Sequence, residues 1–128
     1  MADKKFLFVI SKATSSPMQA IGILKVASNL KAFDDSADVV IFLIGEGVQL
    51  AKKGVAQTMS MEMEGKQVNV GELMDMIGEL GVKFFVCHGF MPSFGVSEKD
   101  MIANCELKSS ASMGELLLDG YIPFSLGM

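Results

Sequence analysis

The chain predicts an α/β fold, a three-layer α/β/α sandwich around a mainly parallel sheet of four or five strands. Three observations carry that expectation. Lys5-Phe6-Leu7-Phe8-Val9-Ile10, Val39-Val40-Ile41-Phe42-Leu43-Ile44 and Val82-Lys83-Phe84-Phe85-Val86-Cys87 are near-continuous apolar runs, the pattern of strands covered on both faces. Helix-length segments with an apolar stripe precede the second and third runs. Such β-α-β order calls for parallel pairing through right-handed crossovers. The length, 128 residues, suits one domain spanning 1–128.

Between the first two runs, Ser16-Pro17-Met18-Gln19 offers an N-cap, a proline at the first helical position and Gln at N3. Ile21, Leu24, Val26, Ala27, Leu30 and Phe33 continue an apolar face through about four turns, despite Gly22, until Asp34-Asp35-Ser36 closes it. After Gly45-Glu46-Gly47 a short helix is expected over Val48–Lys53, stopped by Gly54. Met59, Met61 and Met63 alternate with Ser60 and Glu62, a pattern open to an edge strand, a helix start or a flap, and Val68–Val70 reads as a short strand or extended chain. Glu72–Leu80 is a helix with Leu73, Met76, Ile77 and Leu80 on one stripe and Gly81 as terminator. Gly89, Pro92 and Gly95 make His88–Val96 a loop, and Ser97 with Asp100 predicts two helical turns over Glu98–Asn104. Ser112 and Glu115 form a capping-box pattern for a last helix through Leu118, and Tyr121–Phe124 is expected as a terminal strand held to a sheet edge by Pro123.

Eleven Lys and Arg against fifteen Asp and Glu leave a net charge of −4, which offers no long-range attraction to phosphate backbones or anionic lipid, so no direct nucleic-acid partner is expected. Charged residues are 20% of the chain, below the usual share of about 25%, and this surplus of apolar side chains points to a buried interface. Met1-Ala2-Asp3-Lys4-Lys5 runs straight into the first apolar run without the architecture of a signal peptide. No apolar stretch approaches the roughly 20 residues that span a bilayer, so no membrane association and a cytoplasmic address are expected.

In open parallel sheets ligands sit beyond the carboxyl ends of the strands, and Cys87 occupies such an end. A loop and a helix follow it, whose amide donors favour thiolate. The competing expectation is that Cys87 fills the layer between sheet and helix, as Phe85 does two residues earlier. His88 is adjacent, but consecutive strand side chains point to opposite faces, so the pair forms only if Gly89 turns the chain. Cys105 is read as a buried spacer, with a resolving-thiol role requiring the loop to fold back. Gly45-Glu46-Gly47 permits close backbone approach at another strand end, without a GxGxxG or Walker pattern for dinucleotide or ATP. The eleven methionines lack ligand spacing and are assigned to packing; Met59, Met61, Met63 and Met91 are the interface candidates, and Phe90 and Phe94 are candidates to shield the Cys87 loop.

Gly81-Val82-Lys83-Phe84-Phe85-Val86-Cys87, seven further residues, Gly95-Val96 and an acidic helix start form the constellation by which the chain resembles the DsrE/DsrF-like family, which includes the Tus sulfur-relay subunits. The resemblance extends over Phe6–Ile10, the helix from Pro17, Val40–Val48 and Glu72–Cys87. It implies a small α/β/α fold, homotrimeric or homohexameric assembly, and Cys87 as the catalytic thiol that accepts sulfane sulfur as a persulfide. That sulfur passes from a donor protein to an acceptor protein in sulfur oxidation or tRNA thiolation, with no metal or organic cofactor. His88 is the candidate to stabilise the anionic sulfur. The alternatives are a non-catalytic assembly or regulatory protein with Cys87 buried, and a small-ligand domain using Gly45-Glu46-Gly47, Ser15 and Cys87.

Overall fold

A computed structural model describes residues 4–127. In chain order it contains β1 (Lys5–Ile10), α1 (Pro17–Phe33), β2 (Asp38–Leu43), β3 (Ser60–Met63), β4 (Lys66–Asn69), α2 (Val70–Glu79), β5 (Lys83–Cys87), β6 (Cys105–Lys108), α3 (Ser110–Leu118) and β7 (Ile122–Phe124). Five strands form one parallel sheet in the order β6-β5-β2-β1-β7, the expected α/β class and strand number. The three apolar runs are its centre, and Pro123 sits on the edge strand β7, where its missing N–H costs no ladder bond.

The layers follow from the order of the strands. From β1 to β2 and on to β5 the chain steps in one direction across the sheet, so right-handed crossovers put α1 and α2 on the same face. From β6 to β7 it steps back across the whole sheet, and α3 therefore falls on the other face. The α1/α2 side holds the main core, with Phe8, Ile10, Val39, Ile41, Leu43, Phe84 and Val86 from the sheet. Behind it a smaller cluster of Leu7, Val40, Phe42, Phe85 and Cys87 is overlaid by α3, and no residue of α3 is itself buried.

Four local expectations are corrected. The two turns expected over Glu98–Asn104 reduce to one 3-10 turn at Glu98–Asp100: Lys53 N donates to Asp100 O at 2.7 Å and Ile102 N to Ala51 O at 2.8 Å, so the chain beyond it runs antiparallel to residues 51–53 and then enters β6. Met59 and Met91 belong to the main core, and Met61 and Met63 pack against it, because β3 turns alternate residues inward. The expected helix at 48–53 is a run of 3-10 turns over Gly45–Ala51. Ser112 lies at N3 rather than at the cap; Ser109 takes the cap position, and its amide donates to the Ser112 hydroxyl at 3.4 Å.

The methionine-rich segment is a hairpin. Glu64 and Gly65, with φ of 54° and 78°, form the two-residue loop with both central residues in the left-handed region, the turn whose twist matches paired strands. Asn69 then caps α2 by accepting from the Glu72 amide at 3.0 Å, which starts that helix at Val70.

Candidate functional site

Cys87 is the last residue of β5 and shares a sheet face with Phe85, Phe42 and Val40. Parallel neighbours in register point the same way, which aligns Cys87 with Lys108 of β6. Phe42 and Phe85 meet edge to face at 5.9 Å beside it. Cys87 as a residue is 4% exposed. The cluster that holds it is flanked by half-buried Val9, Ile44, Met113, Leu116 and Tyr121.

His88 is exposed and begins the 3-10 turn that follows β5. It lines a cleft of about 460 Å³ with Met91, Gly95 and Glu98, and among the described residues no hydrogen bond joins it to Cys87. Phe90 is exposed, while Phe94 packs against the main core, so neither lies in the cluster around Cys87.

Cys105 is paired in register with Phe84 and buried in the main core, on the opposite face of the sheet from Cys87. The two sulfurs are separated by the sheet itself, which removes the resolving-thiol geometry. Burial pushes the Cys105 thiol up to about 12 from an ordinary 9.0. An unfolded chain ionises this group near pH 9 while the fold keeps its proton, so folding retains one extra proton between the two values. The resulting stability is complete below pH 9 and is lost as pH rises through about 12, at roughly 1.4 kcal/mol per pH unit within the window. Cys105→Ala is expected to show a shallower alkaline fall than the parent in urea unfolding across that range.

The ends of β1 and β2 are closed by the chain itself. Glu46 Oε1 accepts from Ala13 N at 2.6 Å, Ser15 N at 3.1 Å and the Ser15 hydroxyl at 2.7 Å. Burial acts to raise its carboxyl, but the bonds from Ala13 and Ser15, aided by Lys12, hold it below the ordinary carboxylate value. Gly47 lets the chain pass over β1, since a Cβ there would lie 2.2 Å from Ile10 O. The glycine serves contact with the protein's own backbone, and Glu46 occupies the amides that an anion would use. Gln19, buried on α1, completes the closure: its Oε1 accepts from Ser11 N and Lys12 N, each at 2.9 Å, and its Nε2 donates to Leu126 O at 2.8 Å. The sequence places Gln19 at N3 of the helix start capped by Ser16, yet its side chain works inward; the available signal was a polar side chain followed by Ala20, Ile21, Ile23 and Leu24, all buried.

Among the described residues no cluster of His, Cys, Asp and Glu is arranged to hold a metal ion, and no helix is long and apolar enough to cross a membrane. A family model described as the DsrE/DsrF-like family matches residues 4–124. A protein of unknown function, MTH1491, from Methanobacterium thermoautotrophicum superimposes with a TM-score of 0.74 at 16% identity, covering 95% of this chain and 98% of that one. The ychN protein from E. coli superimposes with a TM-score of 0.73 at 17% identity, covering 94% and 99%. At these identities the two structures speak for the fold. No curated protein matches the chain.

Proposed function

The chain belongs to the DsrE/DsrF-like family, a sulfur-relay-associated family, and on that premise we propose that it accepts sulfane sulfur as a Cys87 persulfide and hands it to a partner protein. The observation that carries the reading is the position of Cys87, at the carboxyl end of a central strand and beneath a helix with no buried residue. Displacement of α3 is a local opening, since it leaves the main core intact. The Cys87 thiolate then attacks the outer sulfur of a donor persulfide. One S–S bond forms as another breaks, the donor leaves as a thiolate, and a second exchange with an acceptor thiol returns Cys87 to its starting state. His88 is the proposed stabiliser of the anionic sulfur, reached when the strand end opens. Exposed Leu117 and Leu118 support assembly through the α3 side, in the homotrimer or homohexamer the resemblance implies.

The burial of Cys87 favours a second reading, a non-catalytic assembly protein in which the sulfur is packing. Intact mass after incubation with a sulfane-sulfur donor separates the two. The carrier gains about 32 Da, one sulfur atom, reversibly with reductant; Cys87→Ser gains nothing and Cys105→Ser loads like the parent. An assembly protein gains nothing under native conditions.

A further inference from the structure

One same-face step along β5 from Cys87 lies a cleft of about 490 Å³ between β5, β6 and α3, and we propose that it binds a small peptidic thiol persulfide bearing two carboxylates and one ammonium. This ligand is the low-molecular-weight donor from which Cys87 takes sulfur, so the proposal rests on the carrier reading above. The cleft is lined by Lys83, Phe85 and Lys108 from the strands and by Glu115, Leu116 and Asp119 from α3. Phe85 and Leu116 give it an apolar surface suited to sulfur and methylene groups.

The charges select the ligand. Among the described residues Lys83 and Glu115 have no ion-pair partner, while Asp119 is held by Lys5 at 3.1 Å. Lys108 has only a 3.9 Å approach to Glu106 and rests its ammonium 4.8 Å from the centre of the Phe85 ring. Lys83 and Glu115 are therefore uncommitted and Lys108 is held only by a long, exposed pair it can exchange, so the cleft offers two cations and one anion to two carboxylates and one amine. The spacing agrees. Lys83 precedes Cys87 by four residues and Lys108 is in register with Cys87, which sets the two lysine levels about 13 Å apart along the strand direction. The Lys108 side chain leans back over Phe85 and shortens that span. An extended tripeptide reaches about 10 Å, whereas a single amino acid meets one lysine only.

A ligand held this way has its central persulfide arm over Phe85; Cys87, the next side chain on the face, does not line the cleft and meets that arm when α3 shifts at the strand end while the carboxylates stay on Lys83 and Lys108. With R as the peptide, Cys87–S⁻ attacks R–S–SH to give Cys87–S–SH and R–S⁻; the electron pair of the broken S–S bond leaves with the peptide thiolate and no net oxidation occurs.

The test uses S-methylglutathione, which presents the two carboxylates and the amine but cannot donate sulfur, titrated into the full chain by calorimetry with amide chemical-shift mapping. Saturable binding with shifts at β5, β6 and α3 is expected. Lys83→Ala and Glu115→Gln, both exposed and without ion pairs, are each expected to weaken it about tenfold, and S-methylcysteine to bind at least as weakly. Esterifying the glycine carboxylate is expected to weaken binding to the parent in either orientation; binding to Lys83→Ala is unchanged if Lys83 holds that carboxylate and weakened as well if Lys108 does. Absence of saturation at concentrations on the order of 10 mM, or equal affinity in the parent and both variants, overturns the proposal. Because the probe cannot load Cys87, the outcomes separate: persulfide loading from a protein donor with no peptide binding leaves the carrier reading and removes the cleft ligand, and binding without loading does the reverse.

Discussion

Replacing Gly47 with alanine is expected to destabilise the protein by roughly 3 kcal/mol or more, read as a fall in the urea midpoint at unchanged slope. The added Cβ would stand 2.2 Å from Ile10 O and 2.9 Å from Ile10 C, both backbone atoms at the end of β1. Neither atom has freedom to retreat, because Ile10 O already accepts the Ile44 amide at 3.0 Å and closes the β1–β2 pair. Relief requires the turn to lift, and Glu46 next to it would then leave the amides of Ala13 and Ser15. Gly89→Ala is the matched control. Its Cβ meets nothing within 4 Å, so its effect is expected to stay within about 0.5 kcal/mol.

Phe42→Ala is the second large loss, about 3–5 kcal/mol, because the ring is fully buried and its removal leaves a cavity that a parallel sheet cannot collapse into. It also removes the edge-to-face contact with Phe85. Among the described residues α3 is the only helix packed on the smaller cluster, so the variant is expected to loosen that face selectively. Hydrogen exchange checks this: amides of α3 and the end of β5 should lose protection beyond the global change, while those of α1 keep pace with it.

The sheet was legible because its central strands are near-continuous apolar runs, a pattern few other structures accept. Edge strands lack that signature. β6 has four residues, Cys-Glu-Leu-Lys, with one buried, and its identity is settled by pairing with β5 rather than by its own side chains. The hairpin at β3–β4 was obscured because its turn is Glu-Gly in place of the usual Asn-Gly or Asp-Gly. Gly22 read as a weakness in α1, yet a Cβ there would lie 2.8 Å from the Leu126 side chain, so the glycine makes room for a segment more than a hundred residues later. The position of Cys87 at a strand end was legible from the run that precedes it. Its depth was not, since burial on that face depends on where α3 lands, and that is set by the β6-to-β7 crossover.

The account turns on whether Cys87 is uncovered by movement of α3 alone. Native-state alkylation with iodoacetamide, followed residue by residue by mass spectrometry, measures this directly. Cys87 is expected to react far faster than global unfolding permits, Cys105 only with global unfolding. Gly114→Ala should slow Cys87 up to about fivefold, because an alanine in the exposed middle of α3 stabilises the helix by about 1 kcal/mol and meets nothing within 4 Å. If both cysteines react at one common rate set by global unfolding, and Gly114→Ala slows them alike, the sulfur is sealed in the fold and the carrier mechanism is contradicted.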